Sequence, residues 1–229
     1  MRDENHSVQR WLPLVLISSL GLFLELAIIR WISAEVRLFS YLKNIPPLAA
    51  FLGLAIGFAL VGKGRDYKST FAPLFAIYII LVIAFGRYSS PKMLTYPSSG
   101  GEFVWFTAPI SYWLSLLLFM QVVLVFFLLT MFLFIPLGQA TGEEINRFKP
   151  VPAYIVNILA SLLGVWSFAL ISFVQAQPVV WFAIALTAIA VYFYLRHKLS
   201  RLNMALFAAT TLVLWVFSGN ATWSPPISA

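Results

Sequence analysis

Glu25 stands inside the run LISSLGLFLELAIIRW, where a carboxylate is costly in lipid and therefore marks a candidate functional site. Such a carboxyl is a neutral hydrogen-bonded group, the partner of a cation, or part of a ligand site. Ser18 and Gly21 precede it at helical spacing, so the three residues share one face, which is expected to point at protein rather than lipid. Arg30 falls well off that face and is a poor partner within the helix. Gln121, Asn157 and Ser161 are the polar residues expected at comparable depth, and with Glu25 they form the candidate intramembrane polar site. A neutral network among them and a cation site are both open readings.

Other chemistries lack their residues. The sequence contains no cysteine, which removes disulfides, thiolate metal sites and cysteine nucleophiles together. His6 and His197 lie outside the apolar runs, so histidine-ligated haem or chlorophyll within a membrane is not expected. No cluster of His, Cys or carboxylates suits zinc, no base accompanies a buried serine, and no Gly-rich turn fits a nucleotide. The last apolar run holds no lysine for a retinal Schiff base. No catalytic motif, metal site or cofactor is expected from these residues.

The elements that must position Glu25 are membrane helices. With 61% hydrophobic, 17% aromatic and 10% charged residues and a mean hydropathy of +0.90, the chain reads as an all-α, polytopic transmembrane bundle of about seven helices. A polar leader (1–10) precedes a transmembrane domain (11–218) and a polar tail (219–229). The expected spans are 11–33, 45–62, 70–86, 110–136, 153–174, 179–195 and 204–217. Pro13 is expected in the first turn of the first span, where its missing N–H does little harm. The link 34–44 mixes Glu35, Arg37 and Lys43 with Val36, Leu38, Phe39 and Leu42, and is read as lying flat at the interface. Residues 87–109 are the longest polar interruption and form a loop around Gly100 and Gly101. PLGQATGEEINRFKPVP is read as a turn in which Glu143 and Glu144 oppose Arg147 and Lys149. The last tight turn, QAQP, joins two spans into an antiparallel hairpin.

Small residues predict where helices meet. Ala49, Gly53 and Gly57 recur every fourth residue on the second span, and Gly164 follows Asn157 and Ser161 on one face of the fifth. Gly21, Gly53, Gly57 and Gly164 are the expected close-packing positions.

The same residues carry a resemblance. Gly21, Glu25 and Arg30 in the first helix, Gly53 and Gly57 in the second, and the run IPLGQATGEEINRFKPVPAYIVNILASLLGVWSFALISF resemble the N-terminal membrane region of membrane-bound spermidine-synthase-like proteins. These polyamine aminopropyltransferases carry transmembrane helices before a soluble catalytic domain. The matching positions in the long run are Pro136 to Gln139, Tyr154, Asn157, Ala160, Ser161 and Gly164, and Trp223, Ser224 and Pro225 resemble the stretch near which the catalytic domain begins. Pro226 departs from it. The resemblance covers nearly the whole chain and implies a non-catalytic bacterial inner-membrane domain, an anchor or sensor for polyamine-type chemistry. Aminopropyl transfer would need a separate or missing catalytic domain. The alternatives are an accessory subunit packing on partner helices and a small organic-cation carrier with Glu25 as counter-charge. The expected partners are the lipid bilayer, other membrane subunits or a second copy of the chain, and a soluble aminopropyltransferase domain.

The formal charge of +7 lies almost wholly between the apolar runs, where it sets orientation and meets headgroups rather than nucleic acid. Arg2, Arg10, Lys63, Arg65, Lys68, Arg147, Lys149, Arg196, Lys198 and Arg201 fall on one side of alternating spans. Arg30, Arg37, Lys43, Arg87 and Lys92 fall on the other. That asymmetry places the N-terminus in the cytoplasm and the C-terminus outside, whereas the resemblance implies a cytosolic catalytic domain after the last span.

Overall fold

The computed structural model describes residues 2–88, 112–196 and 200–219. Among them are eight α-helices and no strand: α1 (Arg2–Glu35), α2 (Arg37–Tyr41), α3 (Ile45–Ala59), α4 (Phe71–Tyr88), α5 (Tyr112–Ile145), α6 (Pro150–Phe173), α7 (Pro178–Leu195) and α8 (Arg201–Gly219). Five stretches are long and apolar enough to cross a membrane: Arg10–Glu35, Lys68–Arg87, Leu116–Ile145, Pro150–Phe173 and Pro178–Leu195. The expected second and seventh spans are present as shorter apolar helices, Ile45–Ala59 and Arg201–Phe217. Large apolar side chains remain uncovered along these helices, among them Phe173 (87% exposed), Trp113, Trp166 and Leu170. A hydrocarbon environment, unlike water, satisfies such surfaces. The loop around Gly100 and Gly101 and the Trp223 to Pro226 stretch lie outside the described residues.

The chain divides into two units, residues 28–154 and residues 1–27 with 155–229. In the first, α3 and α5 form the most extensive helix pairing, and glycine permits it. A Cβ on Gly57 would stand 2.7 Å from the Gln139 amide nitrogen, one on Gly138 would stand 2.8 Å from the Leu54 Cα, and one on Gly53 would overlap the Met131 carbonyl. One on Gly142 would meet Val61 Cγ2 at 2.7 Å. These contacts ascend together along both chains, so α3 and α5 run parallel. Helix α4 is antiparallel to α5, with Tyr78 beside Thr130 (3.4 Å between hydroxyls) and Phe85 edge-on to Phe126 (5.3 Å between ring centroids).

Three boundaries differ from the sequence-based expectation. PLGQATGEE is the last part of α5, which runs through Pro136 to Ile145 rather than breaking into a turn. The proline removes one backbone donor, but the glycines beyond it seat α5 on α3 and keep the helix going. Pro13 likewise lies inside α1, which begins at Arg2 and not at the first apolar residue. The link around α2 folds inward: Val36, Leu38 and Phe39 are buried, and Phe39 meets Phe126 edge-on at 5.3 Å. An aromatic partner on α5 holds them in the protein interior, so the link does not lie flat at the interface.

In the second unit α1 and α6 run parallel. Gly164 meets the backbone of Ser19, where a Cβ would stand 2.9 Å from the Ser19 carbonyl carbon. Phe168 packs edge-on to Phe23 at 5.6 Å, the same offset of 145 residues along the chain. Residues 174–177 then turn through Gln175, whose φ of 57° is left-handed, and Pro178 opens α7. Trp181 meets Phe168 edge-on across this turn at 5.4 Å.

Candidate functional site

Glu25 is 6% exposed, and its Oε2 has no hydrogen-bond partner. It makes no ion pair among the described residues. Ser18, two turns earlier on the same face, is 4% exposed and its Oγ is also without a hydrogen-bond partner. Gly21 lies between them and is buried, yet nothing stands within 4 Å of where its Cβ would be. That empties the expectation of Gly21 as a close-packing residue: the backbone of a neighbouring helix meets α1 at Ser19, one face round, and leaves Gly21 beside open space.

Asn157 and Ser161, expected around Glu25, are not gathered there. Ser161 Oγ donates to the Ser18 carbonyl oxygen at 3.4 Å, so it touches α1, but low on the helix. At the offset set by Gly164 and Phe168, Ser161 stands level with Leu16 and Asn157 level with Leu12, while Glu25 stands level with Leu170. Nine residues of helix separate the Ser161 level from Glu25, about 13 Å. Asn157 is half-buried, and Gln121 is exposed on α5. Within the unit that holds α1 and α6, the expected network is therefore replaced by one contact at Ser18 and a carboxyl six residues beyond Ser19, the partner of Gly164.

A second polar group forms where α5 ends, and reading its segment as a turn concealed it. Gln139 is 2% exposed, and its amide clamps the loop before α4: Tyr67 N donates to Oε1 at 2.8 Å, and Nε2 donates to the Arg65 carbonyl at 2.6 Å. That loop leaves α3 through Gly62 and Gly64, both at positive φ (78° and 77°), a conformation that glycine adopts without strain. Lys68, counted from sequence among the cations on one side of the alternating spans, is 4% exposed, with its Nζ on both carboxylate oxygens of Glu143 and 3.5 Å from Asp66 Oδ1. Arg65 bonds the Tyr67 hydroxyl at 3.5 Å, which raises the guanidinium pKa further. Of the expected opposition of charges, Glu144 does meet Arg147, at 3.5 Å. The spacing of Gln139 and Glu143, one helical turn apart, is the signal that this segment is helix.

Among the described residues no group of three or more His, Cys, Asp or Glu side chains is placed to hold a metal ion. The two polar groups differ in kind. The one at Gln139 and Lys68 is satisfied, and it fixes a loop. The one at Glu25 is unsatisfied, and a buried unsatisfied carboxyl is where binding chemistry has room. No family model, no curated protein and no solved structure matches the chain.

Proposed function

We propose that this chain is a non-catalytic, multi-pass membrane domain that anchors, or senses for, a polyamine-type transferase. In this reading it works as the membrane part of spermidine-synthase-like proteins does, in a bacterial cytoplasmic membrane. One observation carries the reading. Two separate segments that bear the resemblance, Gly53 with Gly57 and the run from Pro136 to Gln139, meet as a single glycine-lined crossing of α3 on α5. A rigid crossing of this kind is suited to holding an attached or bound domain at a fixed place on the membrane.

The same proposal includes seven crossings and a cytoplasmic N-terminus. Parallel α1 and α6 need an odd number of crossings between them. Antiparallel α4 and α5 supply two, so α3 supplies the third. Its 15 residues make about 22 Å of helix against a hydrocarbon core of about 30 Å, a mismatch that local bilayer thinning accommodates. The cysteine-free chain allows a direct check, with single cysteines at Tyr41→Cys and Lys63→Cys. They should react with an impermeant thiol reagent from opposite faces of the membrane, Lys63→Cys from the cytoplasm.

Gentle extraction from native membranes followed by native mass spectrometry tests the functional reading. A co-purifying aminopropyltransferase polypeptide, or spermidine-dependent mass addition to one, is expected. Recovery within a larger membrane complex that holds no such polypeptide overturns the reading in favour of an accessory subunit.

A further inference from the structure

We propose that Ser18, Gly21 and Glu25 form a buried receptor for one small monovalent cation, held against the Glu25 carboxylate inside the membrane-spanning part of α1. Glu25 and Ser18 are each more than nine-tenths buried, and Glu25 Oε2 and Ser18 Oγ both lack hydrogen-bond partners. Ser18 lies one turn before Gly21 and Glu25 one turn after it, on the same face of α1. The space that a side chain at position 21 would fill is empty. Two buried oxygen groups without hydrogen-bond partners thus stand one turn to either side of Gly21, a position where no side chain fills the space.

The other buried helix glycines serve a different purpose. At Gly53, Gly57, Gly138 and Gly164 the backbone of a neighbouring helix occupies the space, whereas at Gly21 nothing does. A void lined only by leucines would have no demand for a ligand. Here Glu25 makes no ion pair among the described residues, in a part of the chain where an uncompensated charge is expensive.

The donor set selects the ligand class. A carboxylate and a hydroxyl are hard oxygen ligands, suited to an alkali cation or a primary ammonium group. The single negative charge balances one positive charge. A divalent ion would leave an unbalanced charge in apolar surroundings, so the receptor takes monovalent cations. The inference rests on the geometry of α1 and stands apart from the family reading above.

Thermal unfolding of the purified protein in detergent, at constant ionic strength, reads the site. The probes are sodium, potassium, methylammonium and spermidine chlorides, with N-methyl-D-glucamine chloride as the bulky reference. The parent protein should show a saturable rise in Tm with at least one monovalent probe, roughly 5 to 10 °C at a hundredfold excess over its Kd. Response to sodium or potassium assigns an inorganic ion, response to methylammonium assigns an ammonium group, and response to the trication spermidine alone overturns the monovalent receptor. Glu25→Gln keeps the shape and removes the charge, and Gly21→Val fills the gap. Both should lose the rise while unfolding in the reference salt no earlier than the parent. If Gly21→Val does not accumulate, Gly21→Ala takes its place, with an expected weakening of apparent affinity of at least tenfold. A parent Tm that responds to none of the probes overturns the proposal, and so does a rise that persists undiminished in Glu25→Gln.

Discussion

At Gly57 a methyl group would stand 2.7 Å from the amide nitrogen of Gln139 and 2.9 Å from the carbonyl carbon of Gly138, both of them backbone atoms. Backbone cannot rotate away, so Gly57→Leu has to separate α3 from α5. Overpacking of this kind costs about 1–3 kcal/mol where side chains can yield, and here they cannot. We expect Gly57→Leu and Gly164→Leu to lower Tm in detergent sharply, while Gly21→Ala leaves it within about 1 °C of the parent. Similar losses at all three positions would show that the open space beside Gly21 is not there. The spacing of Gly53 and Gly57 was readable because a small-residue stripe repeats with the helix. The difference at Gly21 was not, since a glycine that admits a neighbour and one that leaves a gap look alike in sequence. Only the position of Ser19 on the adjoining face separates them.

At the level of elements, the end of α5 is held by polar groups on the loop that begins α4. Gln139→Leu removes both clamp hydrogen bonds and leaves the Tyr67 N–H and Arg65 carbonyl without this partner, at a cost of about 1–3 kcal/mol. Limited proteolysis should register it as faster cleavage at residues 62–66, and an unchanged cleavage rate would rule the clamp out. Lys68 and Glu143 call for a double-mutant cycle. Glu143→Leu alone strands a buried ammonium with Asp66 and should cost about 3 kcal/mol, whereas adding Lys68→Met should restore much of it. Additive losses would show that the two do not act as a pair. The apolar runs made each helix legible, because hydrophobic length is a strong signal. Where helices stop was less legible: Pro136 and the polar letters of PLGQATGEE look like a turn, and only the packing of Gly138 and Gly142 on α3 carries the helix past them. The placement of Asn157 and Ser161 away from Glu25 was not legible at all, since the register between α1 and α6 is set by Gly164 and Phe168 and not by composition.

For the molecule as a whole, the contact between α1 and α6 also sets a timetable. Ser19 and Gly164 lie 145 residues apart, so a ribosome adding about 5–20 residues per second delivers α6 roughly 7 to 30 seconds after α1. Through that interval α1 sits in the bilayer with its α6-facing side uncovered and with a carboxyl at Glu25 that carries an insertion penalty of about 2.5–3.5 kcal/mol near mid-membrane. The newborn chain is thus exposed to quality-control proteases for longer than a hairpin-forming helix would be. Pulse-chase labelling of chains stopped after α5 should find them short-lived, with Glu25→Leu extending their half-life and leaving that of the finished protein unchanged. Equal half-lives for stopped chains with Glu or Leu at position 25 would clear the carboxyl of that liability. The residue that buries a carboxyl oxygen without a hydrogen-bond partner is, on this timetable, also what limits how slowly the chain can be made.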